Sequence, residues 1–184
     1  MFGGEPGPAA TANNESWDNS SWTELANLST ARGRSGSGGT STAAFCASGT
    51  TNTGPTVTTA TEEWNFESTL GAGAWSSGGN INTARGHAAA MGIQTAGLIA
   101  GGAGPPGASK LNNSEEYDGS SWTEGDNMVT TRKNCAGCGT QTAGLIFGGY
   151  DPSARNIETF TYDGTNWAEV ADLNAARHNL CGAG

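Results

Sequence analysis

The sequence predicts an all-β fold built from a repeated four-stranded antiparallel unit. Three observations carry this expectation. Four tryptophans, Trp22, Trp75, Trp122 and Trp167, each precede an arginine by ten residues, at Arg32, Arg85, Arg132 and Arg177. An apolar residue follows each of these tryptophans at the sixth position (Leu28, Ile81, Met128, Leu173), and a glycine follows each arginine at the seventh (Gly39, Gly92, Gly139, Gly184). No stretch carries the apolar spacing of a helix; short strand-like runs and turn signals alternate instead. The Trp-to-Trp steps are 53, 47 and 45 residues, and a period in that range indicates a propeller or a solenoid.

Within each copy the elements fall in a fixed order, named here A to D. Strand A is a run of small residues after the arginine, such as Asn134 to Gly139. Strand B is apolar and runs into a glycine pair, as in residues 95–102 and 142–149; Ser48 takes the place of the first glycine in an earlier copy, and the chain opens on Phe2-Gly3-Gly4. After a variable loop, strand C ends on an aromatic residue: Trp17, Trp64, Tyr117 or Tyr162. Asp118-Gly119 and Asp163-Gly164 then predict two-residue hairpins with positive φ at both positions, Asp18-Asn19 being a weaker version. Strand D starts at the repeat tryptophan and ends near the arginine. Four such strands in 45–53 residues make one propeller blade, giving repeats at about 1–32, 33–85, 86–132 and 133–177, with 178–184 the last inner strand. Glycine-rich A strands suit the narrow space near a propeller axis, and tryptophan suits the wider space between blades.

Composition restricts partners more than it suggests them. Leu, Ile, Val and Phe total 21 of 184 residues, and the net charge is −9. Alone, that would describe a disordered chain; the fixed offsets argue for close packing of small residues with tryptophan supplying the apolar area. Seventeen acidic residues against eight basic ones disfavour nucleic acid and anionic membranes as partners. No apolar run reaches membrane-spanning length, and no signal peptide is legible at the N-terminus, which leaves localisation unassigned. Cys46, Cys135, Cys138 and Cys181 are irregularly placed. With only His87 and His178 in other copies, the Cys135–Cys138 pair reads as small buried residues rather than a metal site, and no cofactor is expected.

The combination of a glycine pair after strand B, an aromatic, then tryptophan and arginine resembles kelch-type β-propeller repeats over nearly the whole chain. The aromatic-to-Trp step of five residues in three copies is shorter than the family's. Phrases such as YDGSSWTE, TQTAGLIFGG and LNAAR also resemble repeat proteins of marine phages and seawater metagenomes, which implies a tail or adhesion part. A split of one blade between the termini is expected. Three assemblies follow from it: four blades closing alone, two chains sharing a larger ring, or part of a longer array.

Function is expected on one face. All six prolines fall in the B–C loops, where the copies differ most, and variable loops on a rigid scaffold are the usual place for recognition. With the D–A turns these loops make the candidate binding face. Its candidate residues are Lys110, Asn112, Tyr150 and Asp151, together with Arg32, Arg85, Arg132 and Arg177. The arginines read in two ways: a cationic ring for a carboxylate, sulfate or phosphate, or a repeated clamp between strands or blades. An insertion in copy two, around residues 65–74, is expected to project on the opposite face. Glu15, Glu62 and Glu115, two residues before the strand-C aromatic, read as solvated strand residues rather than paired catalytic carboxylates. The expected function is a non-enzymatic binding or structural module contacting a protein or glycan. The alternative is a glycan-active enzyme on the same scaffold.

Overall fold

The computed structural model describes residues 3–4, 9–51, 56–67, 72–105, 109–151 and 153–182. The described residues are all-β: no helix is present among them, and none is long and apolar enough to cross a membrane. Among the described residues, fourteen strands form one two-stranded and three four-stranded antiparallel sheets. The hairpin β1 (Asn14–Trp17) and β2 (Trp22–Leu25) stands alone. The second sheet is β3 (Gly36–Gly39), β4 (Ala43–Ala47), β5 (Thr61–Glu67) and β6 (Ala72–Ser77). The third is β7 (Ala89–Ile93), β8 (Ala96–Ala100), β9 (Ser114–Tyr117) and β10 (Trp122–Glu124). The fourth is β11 (Ala136–Thr140), β12 (Ala143–Phe147), β13 (Thr159–Tyr162) and β14 (Trp167–Val170). Each four-stranded sheet is a meander in chain order, with the A strand at one edge and the D strand at the other. The A strands lie side by side, β3 on β7 and β7 on β11, an arrangement consistent with a propeller-like fold.

The glycine pair has a local cause. Gly101 and Gly148 have φ of 65° and 63°, and a Cβ there would come within 2.8 and 2.7 Å of the Arg132 and Arg177 carbonyl oxygens. A residue without a side chain makes that conformation and approach at least cost. The next glycine donates its N–H to the same carbonyl, Gly102 to Arg132 at 2.8 Å and Gly149 to Arg177 at 2.9 Å, tying strand B to the end of strand D. Ser48 accepts the same conformation, φ 68°, and its hydroxyl donates to the Arg85 carbonyl.

The seams between sheets hold the core. Phe45 of β4 packs against Tyr117 and Trp122 of the next sheet, with ring centroids 6.3 and 5.9 Å away. Leu98 of β8 shares a buried cluster with Tyr162 and Trp167. The indole N–H of Trp122 donates to Thr61 Oγ1 at 3.1 Å, and that of Trp167 to Ser114 Oγ at 3.3 Å. The Tyr117 and Tyr162 hydroxyls donate backwards to Glu63 and Glu116. Burial, followed by the carboxylate bonds, pushes both phenols well above the usual tyrosine range.

Three expectations are corrected here. First, the C–D connections are four-residue loops, because Trp17 pairs with Trp22, Tyr117 with Trp122 and Tyr162 with Trp167. Only the second loop residue has positive φ (Asn19 76°, Gly119 93°, Gly164 91°). The leading aspartate instead accepts backbone N–H groups: Asp118 Oδ1 takes those of Ser120 and Ser121, both at 2.8 Å. Second, among the described residues the sheets do not close. The hairpin β1–β2 keeps two strands, and residues 178–182 lie beside β11, where Asn179 N–H donates to Asn134 O at 2.9 Å. Third, the cysteines are not uniformly buried: Cys46 and Cys135 are, Cys138 is half-buried and Cys181 exposed, all as free thiols. Burial pushes the Cys135 thiol up to about 11, which suits an inert core residue. The copy-two insertion lengthens the β5–β6 hairpin through the Glu67–Ala72 pair, and its tip, 68–71, lies outside the described residues.

The aspartate loops give a pH prediction. The N–H groups of Ser121 and Ser120 and the Ser120 hydroxyl hold the Asp118 carboxyl down at about 2, from an ordinary 3.8. A depressed folded value contributes stability that is present above the unfolded value and lost as pH falls through the folded one. The loop is therefore expected to loosen between about pH 4 and 2. A carboxyl-carbon NMR titration should place the Asp118 midpoint near 2; a midpoint near 4 would contradict the hydrogen bonding.

Candidate binding face

The B–C loops and D–A turns meet along one edge of the sheets. Isolated bridges join Gly86 to Ala103 and Ala103 to Lys110, and join Lys133 to Tyr150 and Tyr150 to Arg155. In each trio the first residue belongs to a D–A turn, the second ends strand B and the third lies in the B–C loop. Five of the six prolines, Pro6, Pro8, Pro55, Pro106 and Pro152, lie outside the described residues.

Of the eight candidate residues, three cluster on this edge. Lys110 Nζ lies 5.2 Å from the centre of the Tyr150 ring, and that ring lies 6.1 Å from His178. Asp151 shapes the loop from below: its Oδ1 accepts the N–H groups of Ser153 at 2.7 Å and Ala154 at 2.8 Å. Those bonds, with a smaller contribution from Lys110, hold its carboxyl below the usual range. Asn112 is a strut: its side-chain amide donates to the Met128 carbonyl at 2.9 Å, bracing the loop against strand D.

The arginines divide. Arg32, Arg85 and Arg132 are 0–1% exposed and cannot meet a ligand at the surface. Each reaches into the next sheet. Arg32 pairs with Glu62 and Arg85 with Glu115, both at 2.6 Å, and Arg132 pairs with Glu158. Arg85 Nη1 also donates to the carbonyls of Gly101 and Asn113, both at 2.9 Å. These three are clamps between repeats, and their placement on the binding face is corrected. Glu62 and Glu115 are corrected with them, being buried partners of arginine rather than solvated residues. Arg177 alone is exposed, and it makes no ion pair among the described residues.

The residue two places after each arginine was not singled out from the sequence. Arg34, His87, Asn134 and Asn179 all adopt positive φ, 55–60°. Their backbones form a ladder across the sheets: His87 N–H donates to Arg34 O at 3.0 Å, Asn134 to His87 at 2.9 Å and Asn179 to Asn134 at 2.9 Å. The four line a cavity of about 200 Å³ at the meeting point of the A strands. Arg34 Nη1 lies 3.4 Å from His87 Nε2 at its rim. The usable signal was the fixed offset from arginine together with residue types that tolerate the left-handed region. The side chains themselves share no chemistry a motif would capture.

The eight Lys and Arg residues therefore sort by place. Three are buried clamps; the other five, Arg34, Lys110, Lys133, Arg155 and Arg177, all sit in D–A turns or B–C loops, as do both histidines. The opposite edge carries Asp18, Asp118 and Asp163 in the C–D loops. A chain of net charge −9 thus presents its surface cations on one side.

Fold and face define an all-β protein of repeated four-stranded sheets with a loop-built cationic edge. No family model matches the chain, and no curated protein matches it. The solved structure of YjhT is similar, with a TM-score of 0.71 at 13% identity over 88% of this chain. At that identity the likeness concerns the fold alone. The chain spans about half of that structure, covering 53% of its length.

Proposed function

We propose that the chain is a non-enzymatic binding or structural module: a kelch-like propeller unit whose B–C and D–A edge holds the anionic groups of a protein or glycan, as a tail or surface adhesion part would. The observation that carries this reading is the gathering of all five unburied Lys and Arg residues on that edge of an acidic chain. The Lys110–Tyr150–His178 cluster supports it with an aromatic surface beside a cation, the pairing that lets one site hold a sugar ring and its carboxylate or sulfate. Glu62 and Glu115, the carboxylates an enzyme on this scaffold would draw on, are held by buried arginines instead.

The test is titration calorimetry with sulfated and uronic-acid oligosaccharides and their neutral counterparts. Acidic glycans are expected to bind and neutral ones not to, with affinity falling as salt rises. Lys110→Glu should weaken binding about ten-fold or more, the scale of a lost charge-assisted bond. Equal binding of neutral and acidic glycans, or a Lys110→Glu variant that binds like the parent, would sink the reading.

A further inference from the structure

We infer that strand β6 is a docking edge, and that its occupant is the β6 strand of a second copy of this chain, paired antiparallel about a two-fold axis. The cationic edge takes no part in this contact. Each D strand stands last in its sheet, so its outer backbone groups pair with no strand among the described residues. Exposed strand edges join to other strands unless they are short or carry charge. Three of the four D strands are protected in this way. β2, β10 and β14 are three or four residues long and carry Glu24, Glu124 and Glu169. β6 is six residues long, Ala72–Ser77, with no charged residue and no proline.

The hydrogen bonds to β5 fix which way β6 turns its backbone. Gly78 N–H donates to Thr61 O at 2.9 Å. Backbone groups alternate in direction along an antiparallel strand, so Ser76, Ala74 and Ala72 turn theirs toward β5, and Ser77 and Gly73 turn theirs away from it. The side chains leave room for an incoming strand. Ala72, Ala74, Ser76 and Ser77 are small and exposed. Trp75, the one large residue, stands opposite Trp64 of β5, and their ring centroids are 5.6 Å apart, so its ring is turned onto the hairpin. The edge ends at Gly79, where a Cβ would be 2.2 Å from the Ser120 carbonyl oxygen of the next sheet.

Charge selects the occupant. The chain carries a net charge of −9, so two copies repel wherever carboxylates face each other, and like charges set opposite each other across strands are destabilising. Antiparallel copies of β2, β10 or β14 would each bring a glutamate close to its twin. β6 alone among the D strands meets itself without that cost. With the backbone groups of Ser77 facing those of Gly73 in the second copy, Ala74 stands opposite Ser76 and Trp75 lies on the two-fold axis. Glu67, which pairs with Ala72 across the hairpin, is carried to opposite ends of the joint in the two copies. The contact is isologous and uses up the edge on both sides, so it closes at two chains.

The experiment is sedimentation equilibrium on the full chain. A single strand pair buries less than the ~1,200 Å² of a lasting complex, so the parent is expected to pass from one chain to two as its concentration rises through the micromolar range. Ser77→Pro removes an outward N–H and keeps the β5 ladder, a position where an edge strand tolerates proline. It should weaken association about ten-fold or more. Two charge variants give a second reading. Ala74→Lys with Ser76→Lys, and Ala74→Glu with Ser76→Glu, each set like charges opposite each other in a self-pair. Each should stay monomeric alone, and the two should associate when mixed. Far-UV circular dichroism checks folding, and if Ser77→Pro does not fold, the charge variants decide. A parent that stays monomeric up to about 1 mM would overturn the inference. So would a dimer that neither the proline nor the charges weaken, or an assembly that grows past two chains.

Discussion

Arg85→Ala is expected to destabilise the chain by about 3–5 kcal/mol, the range for breaking a buried ion pair by removing one partner. Arg85 and Glu115 are both 0% exposed, 2.6 Å apart. Glu115 also accepts the N–H groups of Asn82 at 2.6 Å and Thr83 at 3.0 Å, so it anchors the end of the second sheet to the third. Burial pulls the guanidinium below its ordinary value, and the Glu115 carboxylate opposes that. Without Arg85, Glu115 keeps its desolvation cost and loses its counter-charge, and the carbonyls of Thr83, Gly101 and Asn113 lose a donor. For a chain of this size the melting temperature should fall by roughly 6–20 °C, and total stabilities run only about 5–15 kcal/mol. Arg85→Lys should not restore it, because the three donors of an ammonium cannot serve a carboxylate and three carbonyls in the geometry of the planar fork. Arg85→Met with Glu115→Leu should recover part of the loss, since no charge is then left buried. Denaturant unfolding measures all four proteins. An Arg85→Ala midpoint equal to the parent's would mean that the pair is not buried in solution.

The same arginines show what sequence could and could not reveal. Their ten-residue distance from tryptophan was legible, and with it the strand order, since a D strand must end where the chain turns back. Their destination was not. Each partner glutamate lies in the following copy, 30 residues on for Arg32 and Arg85 and 26 for Arg132. In the last case Phe160 occupies the position of the glutamate, which moves to Glu158, so the pairing leaves no constant offset. Loop chemistry misled in a different way. Asp-Gly signals a two-residue hairpin when both positions must reach positive φ. Here the aspartate carboxylate satisfies the loop's N–H groups and only the glycine crosses over. Lys110 lies over the Tyr150 ring because the bridges from the strand ends fix where their loops start. The ladder through Arg34, His87, Asn134 and Asn179 is a backbone property, and backbone hydrogen bonds between copies leave little trace in side-chain identity.

The repeat tryptophans separate position from environment, and substituting two of them is expected to give opposite results. Trp122→Ala should cost about 3–5 kcal/mol, the usual range for emptying a buried aromatic site. Its ring stacks on Tyr117 at 4.8 Å, meets Phe45 edge-on at 5.9 Å and donates to Thr61. Its removal would leave a cavity between the second and third sheets, whose strands are too short to collapse around it. Trp22 stands at the same repeat position but is half exposed, touching Trp17 alone among the aromatic rings of the described residues. Trp22→Ala should cost less than about 1 kcal/mol, as exposed substitutions do. Thermal unfolding of both variants at the same low concentration makes the comparison. A small Trp122 effect would deny the seam packing on which the array depends. A large Trp22 effect would mean that this ring is covered in solution, against its half-exposed position. Stability at one repeat position thus depends on which sheet follows or precedes it, as nearest-neighbour energetics require of a stacked repeat.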